Sequence, residues 1–332
     1  MRKIVLEAID GCVDEVHVDA LGSITAIKRG TEGSKRPKVM VDAHMDEVGF
    51  MATGVDGDGL IKFVPVGGID ARIVPGMRVK VGPRGIQGVV LSTPIHKNKD
   101  STVIQIANMR IDIGASNKEE ANGKVKKGDR IAFDSRYRIL NDSTICGKSL
   151  DDRAGCSVLI DVLRESSYPC DILAAFTVQE EIGLRGAMVA ARRLAGCRAG
   201  AGMHDRRRHS EPVGRSGQRR PRRLEPDLPR GTWADALVHG SQHDRRSTLA
   251  ASSAPACRCV RRAVSSQDAV GRRHRCRLDP PRQHRRAVRG DLAPGRYIHS
   301  PHALISHSDY LNAVRLAQAF LENLTHDVLK PL

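Results

Sequence analysis

Near the N-terminus, apolar residues alternate with polar ones in the pattern of β-strands. Residues 14–29 predict a strand, a turn at Leu21-Gly22 and a second strand, because both flanks alternate and carry β-branched residues. The next segment, VMVDAH, predicts a buried strand that ends in polar residues at His44. Enzymes of the α/β class place their chemistry at such strand ends.

Between about residues 62 and 145 the pattern changes to short β-rich runs separated by glycine and proline. The runs are MRVKVG, GVVLS, TVIQIANMRIDIG and DRIAFD, and they predict a small β-barrel or β-sandwich. Helical periodicity returns at residues 152–164, followed by the apolar strand DILAAFTV and a helix over residues 186–194. The segment SDYLNAVRLAQAFLENL predicts a last helix with Ser308 or Asp309 as its N-cap.

The composition of the chain fits a soluble intracellular protein. Its 332 residues suffice for one large domain and a smaller one, and no apolar run is long enough to span a membrane. The N-terminal segment lacks the apolar core and cleavage site of a signal peptide. Eight cysteines without framework spacing fit a reducing compartment, so we expect a cytoplasmic protein.

The formal net charge of +16 arises almost entirely from residues 197–296. This segment holds 24 Arg, 9 acidic residues and no Lys, so it carries +15 and the remainder of the chain is nearly neutral. It also lacks Ile, Phe, Tyr and Asn, whereas the rest of the chain has 21 Ile. One interpretation is an arginine-rich disordered arm that binds RNA.

We favour a second interpretation of residues 197–296, in which GC-rich DNA is read in a shifted frame. The five missing residue types share AT-rich codons, and most of the abundant types have GC-rich ones. Back-translating residues 238–247 with permitted codons and shifting by one base can yield FMDRSMIAD, which looks far more like a folded protein. The segment is therefore interpreted as anomalous and frameshifted.

Four short clusters carry residue types suited to metal chemistry. They are HMDEVG with His44 and Asp46, GKSLDDRAG with Asp151 and Asp152, TVQEEIGLRGA with Glu180 and Glu181, and RYIHSPHALISHSD with His299. Each has a plainer interpretation when taken alone: a structural histidine, acids that cap a helix, or a solvated loop. Together they form a set rich in imidazoles and carboxylates, which favours two divalent metals that share a bridging carboxylate and activate a water molecule.

The residue types also suggest individual roles. His44 ends a buried strand and is a good metal ligand, and Asp46 can hold its other ring nitrogen. Glu180 and Glu181 follow an apolar strand, where one carboxylate can bind metal while its neighbour acts as general base. His302 and His307 are less suitable, because we expect them in a surface loop.

Competing catalytic motifs do not occur in the sequence. It has no Gly-rich phosphate loop, no serine nucleophile elbow and no context for a cysteine nucleophile. Cys257, Cys259, His274 and Cys276 suggest a zinc site only superficially, because their spacing differs from the usual structural patterns and they lie in the anomalous segment.

The four clusters, in this order, resemble the motif set of the tetrahedral aminopeptidases, a family of two-metal metallopeptidases. That family includes glutamyl, lysyl and leucyl aminopeptidases and some members named endoglucanases. IDIGASNKEEA and KKGDRIAFD are similar to segments of the family's inserted domain. The resemblance covers about residues 1–196 and 295–325. It implies an α/β fold, in which a mixed-sheet catalytic domain is interrupted by a small β-rich dimerisation domain.

On the same resemblance, the catalytic domain takes residues 1–63 and 147–332, and the inserted domain takes residues 64–146. We expect a cytoplasmic aminopeptidase that removes N-terminal residues from peptides and assembles from dimers into a larger homo-oligomer. Two divalent ions per subunit are implied, zinc or cobalt first and manganese as a further choice. We expect neither a membrane nor a nucleic acid as partner.

The resemblance also implies a role for each candidate residue. Asp151 would bridge the two metals. Glu181 and His299 would complete one metal site, and His44 would serve the other. Glu180 would be the general base that takes a proton from the bridging water.

Asp46 would orient His44, and Asp152 would support the bridging region without binding metal itself. Family members usually begin earlier, with a helix before the present Met1, so we expect a truncated start. Their remaining ligand to the second metal is an aspartate that would fall in the anomalous segment. Asp205 lies near that position, but its surroundings do not match and we do not assign it.

Three other functions stay open at this point. The chain could be the inactive or misfolded product of a frameshifted aminopeptidase gene. It could be a related hydrolase of another amide or of a glycan, although glycosidases normally need only two carboxylates. It could also be an arginine-rich RNA-binding protein, whose binding would depend steeply on salt.

Overall fold

A computed structural model of the chain describes residues 1–31, 33, 36–92, 103–165, 167–196, 238–239 and 294–324. The helices are α1 (Arg2–Ile9), α2 (Lys118–Lys124), α3 (Leu150–Arg164), α4 (Arg185–Gly196) and α5 (His307–Glu322). The strands are β1 (Glu15–Val18), β2 (Ile24–Lys28), β3 (Lys38–His44), β4 (Gly49–Val55), β5 (Ile61–Val66), β6 (Arg78–Val81), β7 (Ile86–Val90), β8 (Ile111–Asp112), β9 (Arg130–Phe133), β10 (Arg138–Leu140), β11 (Thr144–Gly147), β12 (Asp171–Thr177), β13 (Val238–His239), β14 (Gly295–Arg296) and β15 (Ala303–Ser306).

A mixed sheet forms the centre of the larger unit, with strand order β1-β2-β12-β3-β13. β12 pairs with β3 in parallel and with β2 in antiparallel orientation. The parallel pair consists of apolar runs because both of its faces are covered. On one face, Val39, Val41 and Ala43 pack in a core shared with α1, α3 and α5, and on the other Met40 packs with Ala190 of α4. The predicted α/β mixed-sheet fold is confirmed.

A closed barrel follows the first sheet strands, with strand order β4-β5-β8-β7-β6-β9. Three phenylalanines fill its interior: Phe50 contacts Phe63 and Phe133 edge to face, with ring centroids 5.0 and 5.4 Å apart. The predicted domain boundary at residues 63 and 64 cuts through this barrel. The barrel begins at β4, because β4 pairs with both β5 and β9 and closes the ring.

A small antiparallel sheet, with order β10-β11-β15-β14, joins the barrel side of the molecule to the end of the chain. β11 pairs with β15 from Thr144 opposite Ser306 to Gly147 opposite Ala303. Residues 138–146 were expected in the inserted domain, yet they pair with β15 instead of closing the barrel. This pairing brings the segments before α3 and before α5 side by side.

Other local predictions differ from the structure in detail. The N-terminal helix α1 was not predicted, and TVIQIANMRIDIG forms a short 3-10 turn (Ile106–Asn108) and the two-residue β8 instead of a long strand. The last helix begins at His307 with Ser306 as N-cap, not Ser308 or Asp309, because Ser306 still has the extended backbone of β15. Every helix in the described part of the chain is too short or too polar to cross a bilayer.

The segment interpreted as frameshifted lies outside the described residues, apart from β13 and residues 294–296. β13 pairs in parallel with β3, Val238 opposite Val41.

Candidate metal centre

The four sequence clusters converge at one edge of the mixed sheet. β3 and β12 run parallel with His44 opposite Thr177, so the residues that follow both strands meet at the same end. The N-terminus of α3 brings Asp151 to this edge, and the turn before β15 brings His299. The topology therefore assembles side chains that lie far apart in the sequence.

Five non-glycine residues within these clusters have left-handed backbone conformations, among them Leu184 and Tyr297. Ser149 precedes the aspartates with φ 63°, Gln179 precedes the glutamates with φ 60°, and His299 itself has φ 58°. Such conformations are costly for residues other than glycine and persist where the surrounding structure requires them. Their position marks this edge of the sheet as the place where the backbone is most constrained by the site.

Asp151 lies between the two imidazoles. Its Oδ1 is 3.2 Å from Nε2 of His44, and its Oδ2 is 3.3 Å from Nε2 of His299. The two oxygens of one carboxylate thus face two different rings. This is the arrangement expected of a carboxylate that bridges two metal ions.

The paired glutamates complete the centre. Glu181 Oε2 is 3.5 Å from Nε2 of His299, and Glu180 Oε2 is 3.8 Å from Nε2 of His44. Within the described residues, two groups can each place three ligand atoms within 4.8 Å of one another: Asp151, Glu181 and His299, and His44, Glu180 and Glu181. The second group differs from the sequence-based assignment, because it includes Glu180, which was expected to act only as the base.

The electrostatics of the centre show an excess of negative charge. Burial lowers the pKa of His44, but the hydrogen bond to Asp151 and the nearby acids raise it to about 10. The hydrogen bond to Asp151 raises the pKa of His299 to about 9. Burial raises the pKa of Glu181 to about 7. Closely spaced carboxylates of this kind are stabilised when a proton or a metal cation is shared between them.

Asp152, expected to support the bridging region, lies directly behind His44 and is buried. Its Oδ1 accepts a hydrogen bond from the amide of Gly155, and Oδ2 has no hydrogen-bond partner among the described residues. Burial raises the pKa of Asp152 to about 8, although the charge of His44 opposes the shift. Gly155 is required here, because a Cβ at that position would overlap the Asp152 carboxylate.

Asp46 connects the ends of both strands. Nδ1 of His44 is 3.3 Å from the backbone carbonyl of Asp46 and 3.6 Å from its Oδ1. The same carboxylate accepts hydrogen bonds from the backbone amides of Glu180 and Glu181, each at 3.2 Å. Asp46 therefore fixes the paired glutamates as well as the His44 ring, a second task that the sequence did not reveal.

Two further contributors were missed by the sequence analysis. The carbonyl of Gly68, in the barrel loop after β5, accepts a hydrogen bond from Nδ1 of His299 at 2.7 Å. Its neighbour Gly67 has φ 86°, and a Cβ there would press on Val48 and Glu181. The sequence did contain a sign of this contact: two adjacent glycines after an apolar run often mark a place where the backbone packs closely against other groups.

The second missed group is an ion-pair network beside the ligands. Glu47 receives hydrogen bonds from Lys148 at 2.6 Å and from the hydroxyl of Ser149, and Arg153 lies 3.5 Å away. Arg153 also donates to the carbonyl of Met45 at 3.3 Å. The network joins the loop after β3 to the segment that carries Asp151. Its only signal in the sequence was the charged residues within two of the predicted clusters, to which no role was given.

The remaining histidines and cysteines of the sequence analysis do not join the centre. His302 and His307 are both exposed, but only His302 lies in a loop as expected, because His307 is the first residue of α5. Asp205 and the group Cys257, Cys259, His274 and Cys276 lie outside the described residues.

The donor set fits divalent metals. Imidazole nitrogens and carboxylate oxygens are the usual ligands of zinc, cobalt and manganese. The outer ring nitrogens of both histidines contact carbonyl oxygens, which fixes the tautomer that presents Nε2 to the centre.

Comparison with known proteins identifies the family. A family model described as M42 glutamyl aminopeptidase matches residues 22–196. The chain belongs to the M42 glutamyl aminopeptidase family. This is the family that the motif resemblance predicted, and it is metal-dependent.

The M42 relatives match one part of the chain. It is 41% identical over 192 residues to a protein of Acetivibrio thermocellus named only provisionally as an aminopeptidase, covering 58% of this chain and 56% of that protein. It is 34% identical over 203 residues to the lysyl aminopeptidase of Pyrococcus furiosus, covering 57% and 56%. The chain thus spans about half the length of the curated relatives it matches.

Among solved structures, the fold is similar to aminopeptidase APDkam598 from the archaeon Desulfurococcus kamchatkensis. The TM-score is 0.71 at 23% sequence identity, covering 99% of this chain and 91% of that chain. At this identity the likeness concerns the fold, and it agrees with the M42 assignment.

Proposed function

We propose that the chain is built as a two-metal aminopeptidase, with Asp151, Glu181 and His299 at one metal site and Asp151 and His44 at the other. The observation that carries this proposal is the position of Asp151, whose two oxygens each lie within 3.3 Å of a different imidazole. Divalent ions held there would activate a water molecule and polarise the scissile carbonyl.

The chain's own residues supply positioning and proton transfer. Glu180 lies beside His44, and its backbone amide is fixed by Asp46. As general base, its carboxylate accepts a proton from the attacking water and returns it to the amine that leaves. Asp46 holds the glutamates and His44 in register, and the Gly68 carbonyl holds His299.

The substitution Glu180→Gln tests this assignment, because it removes the base and keeps the shape of the side chain. Loss of a general base costs about 10²- to 10⁴-fold in rate. In a chain whose reading frame has been restored across residues 197–296, we expect peptide hydrolysis to fall by this amount while the metal content, measured by mass spectrometry of the dialysed protein, stays unchanged. Glu119→Gln, an exposed position in α2, is the matched control.

Two results would contradict the role of Glu180. Unchanged turnover would show that another group takes the proton. Loss of metal together with turnover would assign Glu180 to the ligands, as the group of His44, Glu180 and Glu181 allows.

We propose peptides with a free N-terminus as substrates, supported by relatives named lysyl and glutamyl aminopeptidase. A fluorogenic amino-acid amide series, compared with its N-acetylated counterparts, measures this requirement. A structural neighbour from Thermotoga maritima is titled endoglucanase, with a TM-score of 0.62 and 28% identity. The two imidazoles that flank Asp151 favour peptide hydrolysis, because glycoside hydrolysis normally uses two carboxylates and needs no metal ligands.

We propose zinc or cobalt as the ions and a homo-oligomer as the assembly. The oligomer is supported by a fold neighbour described as TET1 peptidase of Pyrococcus horikoshii that can assemble into a tetrahedron or an octahedral shell, with a TM-score of 0.65. Activity after dialysis against a chelator and re-addition of each metal ranks the ions. Light scattering measures the assembly.

We also propose that residues 197–296 come from a shifted reading frame, so that this chain lacks part of the family's catalytic domain. The family match ends at residue 196, immediately before the segment that lacks Ile, Phe, Tyr, Asn and Lys. DNA sequencing across codons 195–297 tests it. One uninterrupted frame that encodes the arginine-rich tract would reject the idea.

A further inference from the structure

An open, basic pocket lies beside the candidate metal centre. It is bounded by the start of β6, the residues after β9, the small sheet and the turn before β15. Arg78, Arg136 and Arg138 line it, together with His302. The function proposed above does not use any of these residues.

The three arginines are available for an anion. In the part of the chain that the structure describes, none of them lies within 4.0 Å of a carboxylate oxygen. Asp134 is the acid that lines the same pocket, and it pairs with Lys80 at 2.9 Å. Lys80 does not line the pocket, so the lining holds three arginines and one acid, and its net charge stays positive although Arg78 and Arg136 also act on Asp134.

A hydroxyl group adds an independent observation. Ser135 lines the pocket, and its Oγ is shielded from solvent without a hydrogen-bond partner among the described residues. Buried polar atoms are normally paired, and an unpaired one calls for an explanation such as a missing ligand. Rotation of the Ser135 side chain about its Cα–Cβ bond would turn this hydroxyl towards the pocket, where an anion would accept its hydrogen bond.

The pocket and the metal centre share three stretches of chain. Phe133 lies next to the centre and Asp134 in the pocket, and Ser300 and His302 are divided in the same way. Lys148 lines the centre, whereas Cys146 of the same segment lines the pocket. In each stretch the lining residues of the two places are at most two positions apart, so a few residues of an extended peptide, at about 3.3 Å each, are long enough to span the distance between them.

We propose that this pocket binds a carboxylate of the peptide substrate, downstream of the bond that is cleaved. The carboxylate is either the C-terminus of a short peptide or an acidic side chain. Guanidinium groups match the planar carboxylate with paired hydrogen bonds, which makes arginine the suited residue. This inference rests on the proposed function, because it takes the anion to be part of a peptide.

The experiment measures binding to the metal-free full chain by calorimetry, so that turnover does not enter. The probes are N-acetyl-trialanine with a free C-terminal carboxylate, the same peptide as its C-terminal amide, and amidated peptides with Glu or Gln as third residue. We expect the free acid to bind about tenfold more tightly than the amide, since hydrogen bonds to a charged group contribute more than neutral ones. The Glu and Gln pair shows whether a side-chain carboxylate serves equally.

Arg136→Gln and Arg138→Gln, prepared separately, should each reduce the preference for the carboxylate by about threefold or more, because each removes one charged donor. Arg130→Gln is the matched control, since Arg130 is exposed on β9 outside the pocket. Equal affinity for acid and amide, no measurable binding of any acid, or a preference that survives both pocket variants would overturn the proposal.

A parallel turnover assay, with the same peptides carrying a free N-terminus instead of the acetyl group, separates this proposal from the proposed function. Failure of the metal-loaded protein to hydrolyse any peptide, with the carboxylate preference intact, contradicts the aminopeptidase activity alone. Hydrolysis of acid and amide peptides with equal KM, together with equal affinity in calorimetry, contradicts the pocket alone.

Discussion

The two imidazoles of the candidate centre are held in opposite ways. His44 ends a strand inside the mixed sheet, and its side chain is only 2% exposed. His299 lies in the turn before β15, and its side chain is 35% exposed. The sheet core fixes the first ring, whereas a carbonyl of the barrel, that of Gly68, fixes the second. One ligand is thus part of the folded core, and the other depends on a contact between two units of the chain.

The largest effect on metal binding is expected at Asp151, which lies between His44 and His299. Asp151→Asn keeps the shape and removes the charge that both imidazoles face. Binding of both ions should weaken by more than the roughly 10- to 100-fold that loss of a supporting residue costs. Metal titration with a chelator as competitor measures it, and Asp142→Asn, an exposed turn residue, is the control. Loss of one ion only would show that Asp151 does not join the two sites.

Removing each imidazole ring in turn tests whether the more buried ring contributes more to stability. In the metal-free protein, His44→Ala should lower the free energy of unfolding by about 2 kcal/mol, because it removes the buried ring that contacts Asp151 Oδ1 and whose charge offsets that of the buried Asp152. His299→Ala should cost less, about 1 kcal/mol, because the ring is partly exposed but still donates to the Gly68 carbonyl and contacts Asp151. Urea unfolding followed by circular dichroism compares the two variants. Equal losses would contradict the distinction between a core ring and a loop ring.

A smaller effect is expected at Asp46, which serves the His44 side. Asp46→Asn weakens its acceptance of the Glu180 and Glu181 amides, so metal affinity should fall by about 10- to 100-fold. The same chelator titration applies, with the exposed Asp58→Asn as control. An affinity equal to that of the unmodified chain would show that the backbone alone positions the glutamates.

The smallest effect is expected from the pair Glu47 and Lys148, which links the loop after β3 to the segment before α3. A double-mutant cycle with Glu47→Gln and Lys148→Met should give a coupling energy of about 1 kcal/mol, in the range for contacting residues. The exposed pair Lys3 and Glu7, at 3.7 Å, is the control and should give less than about 0.5 kcal/mol. Equal coupling in both pairs would contradict a special role for the first.

The sequence predicted well those elements whose pattern is local. The buried strands β3 and β12 are continuous apolar runs, and α3 and α5 have clear helical periodicity, so their existence followed from spacing alone. The end of β3 and the end of β12 then placed His44 and the paired glutamates at one sheet edge. In these parts of the fold, the pattern of apolar and polar residues within one segment is enough to predict its secondary structure.

The rest of the centre depends on contacts across long separations that no local pattern reports. The predicted start of the barrel was too late in the chain, because the sequence of β4 would suit a strand of the sheet or of the barrel. Its pairing with β9 assigns it to the barrel. The hydrogen bond from His299 to Gly68 joins residues 231 positions apart in sequence. The second task of Asp46 required knowing that the two strand ends meet within hydrogen-bonding distance.

The hydrogen bond between His299 and Gly68 makes the barrel more than an appendage of the catalytic layer. Any force that shifts the loop after β5, such as another subunit pressing on the barrel, would turn one ligand ring and leave the other in place. Assembly and metal occupancy would then be linked through a single carbonyl oxygen. Within one subunit, assembly would then change metal occupancy more at the site with His299 than at the site with His44.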